Sequence, residues 1–254
     1  MSRRLRSRLG RSTTDQVLVR GHDLAELIGN VSLGDFAFLE LKGRLPDQRE
    51  SVMFNAIAVT LVEHGLTPST LAARLTHHGA PEALQAAVAA GLLGMGDRFG
   101  GSIEQAARIL QEAPADGDQR AVALEIVQGF KARKETIPGL GHPVHRPADP
   151  RTTRLFALAE ENGFSGRHVR LMQMLAEEAS KAYGRELPVN ATGAIAAIAS
   201  EMELPWRIAR GLAVMARAIG LVAHLQEEME DPMAAEIWTR AEAEASQESP
   251  TNRD

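Results

Sequence analysis

Pro138-Gly139-Leu140-Gly141-His142-Pro143-Val144-His145-Arg146-Pro147-Ala148-Asp149-Pro150-Arg151 is the one long break in a sequence that otherwise reads as helix after helix. Pro143 disfavours helical angles at the residue before it, which predicts an extended turn for His142. Gly139 and Gly141 allow backbone angles closed to other residues and leave room for a ligand. Asp149-Pro150 has the form of an N-cap followed by a first-turn proline, so a helix opens there with Arg151 in its first turn. A helix N-terminus beside a guanidinium suits a carboxylate or phosphate. A histidine next to such an anion site is what carbonyl chemistry on a carboxylic acid requires. The plainer reading, a Gly/Pro connecting loop with a structural histidine, stands beside it at this point. A long ordered loop in a helical chain is, however, more often functional than not.

Working outward, apolar residues recur at helical spacing over 52–63, 69–75, 81–94, 102–112, 120–134, 151–162, 167–183, 194–202 and 205–230. Only short pieces such as Gln16 to Val19 read as strand, and the polar tail after Ala241 is expected to fray. The pattern predicts an all-α fold. Aromatic residues are 4% of the 254 residues, so Ala, Leu, Ile, Val and Met must fill the core, which favours close helix–helix contact. The net charge of −5 gives no reason to expect a polyanion or nucleic-acid partner. With no cysteine, disulfides, thiolate catalysis and Cys-ligated zinc are excluded, and a cytoplasmic location is expected. No membrane span is expected, and the Arg3–Arg11 cluster, with no apolar stretch after it, reads as a flexible basic arm over residues 1–15.

Other places carry candidate chemistry. Glu63-His64-Gly65 ends a helix, with His64 either capping carbonyls or meeting substrate. Gly94-Met95-Gly96-Asp97-Arg98-Phe99-Gly100-Gly101 is a glycine-rich turn able to cradle phosphate, although it lacks a P-loop ending. Arg217 sits among apolar neighbours, so it either has an anionic partner or snorkels to solvent. Lys131-Ala132-Arg133-Lys134 is a basic last turn that answers the helix dipole or holds cofactor phosphates. His77 and His78 are adjacent, point to different faces and do not form a metal pair; no metal is expected.

Taken together, Gly141-His142-Pro143-Val144-His145-Arg146 with Asp149-Pro150-Arg151 resembles the signature of the citrate synthase family. Gly96–Gly101 is similar to the corresponding turn of its citryl-CoA lyase branch and of the C-terminal module of ATP-citrate lyase. Leu187–Ile195 resembles the family's Asn-Val-Asp-Gly segment. The resemblance runs in order from about Asp23 to about Glu228.

It implies a large helical domain, 1–101 with 206–254, and a smaller one, 102–205, closing over coenzyme A thioester and a 2-oxo acid. It assigns His142 to proton exchange with the keto or hydroxyl oxygen, His64 to contact with the same acid, and Arg151 and Arg217 to substrate carboxylates. Arg146, with Lys131 and Lys134, would meet coenzyme A phosphates, and Gly139 and Gly141 would shape that cofactor site. The family is oligomeric, so a homodimer or larger assembly is expected.

Two positions depart from the synthase pattern. Phe99 stands where synthases carry a histidine, a change that lyase modules share. Thr192 stands at the place of the family's aspartate base. A hydroxyl does not serve as a carboxylate base near neutral pH. The expected activity is therefore cleavage of a 3-hydroxy-3-carboxyacyl-CoA, such as citryl-CoA, to acyl-CoA and a 2-oxo acid such as oxaloacetate. Condensation in the reverse direction and a catalytically impaired subunit binding coenzyme A and carboxylates are the alternatives.

Overall fold

The computed structural model describes residues 7–97, 99–141 and 149–246. Among them the order is β1 (Gly10–Ser12), β2 (Val17–Val19), β3 (His22–Asp23), α1 (Leu24–Leu27), α2 (Leu33–Lys42), α3 (Gln48–Val62), α4 (Pro68–Gly79), α5 (Leu84–Leu93), α6 (Gly101–Glu112), α7 (Gln119–Arg133), α8 (Pro150–Glu161), α9 (Arg167–Tyr183), α10 (Ala191–Glu201), α11 (Trp206–Glu230) and α12 (Ala234–Ala245). The all-α expectation holds, with one small antiparallel sheet of order β1-β2-β3 added. Arg20 and Gly21, at φ 51° and 90°, form the two-residue turn between β2 and β3, the geometry that matches strand twist. Gly10–Ser12 pairs with Val17–Val19, so this part of the expected arm is a sheet edge instead. Helix α2 was not among the expected helices, although Ser32 caps it at Asp35 N and Gly43 closes it at φ 77°. Helix α12 continues to Ala245, past the point where the tail was expected to fray.

Contacts divide the chain into two units: residues up to Thr60 with Ser102–Ala209, and Leu61–Gly101 with those from Arg210 on. The expected division put 1–101 with 206–254; here the segment before Leu61 groups with 102–209. Lys42 Nζ on the Met202 carbonyl at 3.0 Å is one of the bonds tying it there.

In the first unit the centre is α10, nearly every residue of which is buried. Its Ala-Ile composition combines high helix propensity with small cross-section, so α8 and α9 pack directly against it. Helix α7 in turn packs on α9.

In the second unit α5 and α12 pack on α4. Ala73, Ala87, Leu221 and Leu225 form the core, so α11 is its inner wall. At Gly91 a Cβ would lie 2.7 Å from Leu221 Cδ1, which fixes α5 close to α11. Contrary to expectation, Trp206–Glu230 is long and apolar enough to cross a membrane by length and composition. Its apolar residues Leu212, Ala213, Ala216, Leu221 and Leu225 are buried in the protein, and its Arg217 and Glu228 are buried with them.

Candidate active site

Around the N-terminus of α10 the first unit gathers several of the expected residues. Asn190 is the N-cap: its Oδ1 accepts from Gly193 N at 3.0 Å and from the Thr192 hydroxyl at 2.7 Å. Its Nδ2 donates to the Gly141 carbonyl at 2.8 Å, and its backbone N–H donates to the Gly139 carbonyl at 3.0 Å. Gly141 N in turn donates to the Pro188 carbonyl at 2.7 Å. Residues 139–141 thus lie alongside 188–190, with Leu140 bridged to Val189. Gly139 has φ +87°, and a Cβ there would lie 2.8 Å from Gly193 Cα; a Cβ on Gly193 would lie 2.3 Å from Gly139 O. The room expected for a ligand at Gly139 is therefore taken by α10, backbone against backbone.

Asp149 caps α8 as expected, accepting from Arg151 N at 3.0 Å. The same carboxylate accepts Arg151 Nε at 3.0 Å and Nη2 at 2.8 Å, and lies 3.4 Å from Ala191 N. Burial would raise its pKa, but the Arg151 side chain and N–H, the guanidinium charge and the Ala191 N–H outweigh that and bring it to about 2. Asp149 is therefore an anion at neutral pH and too weak a base for carbon acid chemistry. Arg151 is brought to the site half-buried, already carrying a counterion.

Thr192 gives its proton to Asn190 and so presents only lone pairs. His142 and Arg146 lie outside the described residues, as does Arg98. The residues on either side of 142–148, Gly141 and Asp149, are both bonded to the start of α10.

Lys131, Lys134 and Gly141 come together on a groove of about 610 Å³ that also has Arg185 and Leu187 in its wall. Lys131 donates to the Ala182 carbonyl and stands 5.8 Å over the Tyr183 ring, so it serves the end of α9. Lys134 is the C-cap of α7, in the left-handed region at φ 57°.

His64 and Arg217 belong to the second unit. At the turn after α3 the Glu63 carboxylate accepts His64 N at 2.8 Å and also Gly65 N. His64 itself is exposed. Arg217 is 9% exposed, and among the described residues its Nε and Nη1 are buried with no hydrogen-bond partner. Desolvation lowers its pKa, opposed by the charge of Glu63. Burial of two of its nitrogens favours the reading of Arg217 that asks for an anionic partner over the snorkelling one.

The glycine-rich turn spends its amides internally, since Phe99, Gly100 and Gly101 N–H all point at the Gly96 carbonyl. His77 is buried, the His78 ring lies 6.3 Å from that of Trp238 at a 50° tilt, and no cluster of three or more metal-ligating side chains occurs among the described residues.

Sequence reasoning missed Glu63 as the turn's acceptor, and with it His224 and Arg74. His224 Nε2 lies 2.9 Å from Glu63 Oε2, close but off the line of a hydrogen bond. Its Nδ1 is 2.9 Å from Arg74 Nη2. His224 is 150 positions from Arg74 and farther still from Glu63, and no local pattern announces the link.

Comparison with known proteins agrees with this architecture. The structure of citryl-CoA lyase from Hydrogenobacter thermophilus superimposes with a TM-score of 0.82 at 37% identity, covering 90% of this chain and 88% of that one. A Mycobacterium tuberculosis protein carrying the name citrate synthase 2 is 29% identical over 187 residues, 72% of this chain and 49% of its own. ATP-citrate synthase beta chain protein 2 of Arabidopsis thaliana is 28% identical over 226 residues, 81% of this chain and 36% of its own. The chain thus spans half or less of these curated relatives. The sequence profile described as "Citrate synthase, C-terminal domain" matches residues 38–239, most of the chain, so the protein belongs to the citrate synthase family.

Proposed function

We propose that this chain is a citryl-CoA lyase-like enzyme that cleaves a 3-hydroxy-3-carboxyacyl-CoA to an acyl-CoA and a 2-oxo acid, with citryl-CoA, acetyl-CoA and oxaloacetate as the first case to test. The observation that carries it is Arg217, a buried guanidinium with two nitrogens unpaired among the described residues. Such a group is stable where an anion completes it, and a substrate carboxylate supplies one. The match in length and sequence to a citryl-CoA lyase supports the same reading.

In this reading His142 accepts the proton of the tertiary hydroxyl. The carbon–carbon bond beside it breaks, the hydroxyl carbon becomes the ketone of the oxo acid, and the electron pair passes to the thioester as an enolate. Arg151 and Arg217 hold carboxylates, and His64 contacts the same acid. Because Thr192 donates to Asn190 and Asp149 is an ion pair, neither protonates the enolate, and solvent delivers that proton. Coenzyme A phosphates meet Arg146 and the groove of Lys131 and Lys134.

The test is incubation with citryl-CoA, reading oxaloacetate and acetyl-CoA by mass spectrometry. Equal amounts of both products support the reading; absence of both overturns it. The second reading, a binding subunit with impaired chemistry, is favoured by Thr192 and wins if calorimetry shows coenzyme A binding without cleavage. Condensation is the same chemistry reversed and needs an α-proton base that Thr192 does not supply.

A homo-oligomer, at least a dimer, belongs to the proposal. Leu93, Leu66 and Phe99 are 85%, 55% and 47% exposed in this single chain. Light scattering giving the mass of one chain would overturn it. A cytoplasmic location remains part of the same proposal, resting on the cysteine-free composition.

A further inference from the structure

Helix α11 presents Arg217, Gly220, His224 and Glu228 at three- and four-residue spacing, one stripe along its length. At Gly220 that stripe touches the end of α3: a Cβ there would lie 2.0 Å from the Val62 carbonyl oxygen and 3.5 Å from Glu63 Oε2. The glycine brings α11 onto the Glu63–Gly65 turn, where the Glu63 carboxylate reaches His224 and its charge acts on Arg217.

Behind His224 stands Arg74, fully buried, with Nη1 donating to Glu228 Oε2 at 2.8 Å and Nη2 to Glu227 and His224 Nδ1. Glu228 is fixed from its other oxygen by Met233 N and Ala234 N at 3.1 and 2.9 Å. A guanidinium can only donate, so Nδ1 of His224 accepts and the ring proton sits on Nε2, the nitrogen facing Glu63. Burial pushes the Glu63 carboxyl up, but the Gly65 N–H, His224 and the His64 N–H hold it below its ordinary value, so it stays an anion.

We infer that His224 is a positioning residue: with its tautomer set by Arg74, it holds the Glu63 carboxylate on the His64–Gly65 turn and beside Arg217. This rests on the reading that His64 and Arg217 meet the substrate acid. None of these links touches the reacting atoms. They set where the imidazole of His64 starts and how much charge Arg217 has to offer.

The experiment compares His224→Leu, His224→Gln and Glu63→Gln with wild type. Gln retains a donor near the Nε2 position; Leu removes it; Glu63→Gln leaves Arg74 and His224 paired, so it covers the case in which Leu fails to fold. His224→Leu and Glu63→Gln are expected to raise KM for citryl-CoA about tenfold, with a smaller change in kcat. His224→Gln recovers most of it. A purely structural role would lower the melting temperature and leave KM alone.

The Gly65 amide proton, bonded to Glu63, supplies a readout free of turnover: in 15N spectra it moves upfield in His224→Leu and in Glu63→Gln. An unmoved Gly65 amide in both, or Leu and Gln variants sharing wild-type KM, overturns the inference. If wild type does not cleave citryl-CoA, the functional reading fails, while the Gly65 shift and calorimetric affinity for oxaloacetate still decide on His224.

Discussion

Two arginines, one in each unit, meet burial in opposite ways. Arg151 pairs through two nitrogens with Asp149, which is itself capped into α8 and bonded to α10. Arg217 is more deeply buried, yet among the described residues two of its nitrogens have no partner. The first arrangement is complete without ligand, and an anion arriving there competes with a carboxylate already in place. The second leaves a desolvation cost unmet, which an anion relieves. In the proposed reading, Asp149 serves folding stability and Arg217 serves ligand binding.

The sharpest way to break that contrast is Arg217→Met. Removing a buried charge that lacks a partner should raise stability by about 1 kcal/mol, while loss of a carboxylate clamp should cost about 100-fold in kcat/KM. A thermal melt and steady-state kinetics on one preparation check both, and a fall in melting temperature would show that Arg217 is already satisfied.

Next in size is Gly193→Ala. Its methyl would meet the Gly139 carbonyl at 2.3 Å, backbone on both sides, so neither neighbour gives way cheaply. Destabilisation of about 3 kcal/mol is expected from denaturant unfolding.

Asp149→Asn keeps the cap and removes the ion pair. With a folded pKa of about 2 against an ordinary 3.8, the carboxylate contributes about 2 kcal/mol, present above pH 4 and lost as pH falls towards 2. The acid limb of the stability curve should flatten in the variant, whereas Arg217→Met leaves that limb unchanged.

The smallest effect belongs to Thr192→Val, which deletes one hydrogen bond to Asn190 and should cost about 1 kcal/mol of stability with less than a tenfold change in turnover. Thr192→Asp should add exchange of thioester α-protons with deuterated water, read by NMR; rapid exchange already in wild type would place the base elsewhere.

Much of this was legible in the sequence where the physics is local. Asp149-Pro150 announced a capped helix, apolar spacing over 194–202 announced α10 though not its burial, and Arg217 stood out among apolar neighbours with both of its readings open. The three-residue strands were too short to show a period, and α2 was passed over although Ser32 and Gly43 bound it. The links of Glu63 to His224 and of His224 to Arg74 join residues distant in sequence, so they arise only when helices meet. Likewise the small size of Gly139 reads as loop freedom in sequence, and only the fold reveals that Gly193 fills the space.

The pairing of residues 139–141 with 188–190 has a kinetic consequence. Gly141 N–H and Asn190 N–H are each bonded across this seam, and Gly139 and Gly193 leave no gap through which one side moves without the other. The two amides should therefore exchange their hydrogens at a common rate, as one cooperative block that opens together. A chain that loosens at the start of α10 loosens in the same event at the entry to residues 142–148.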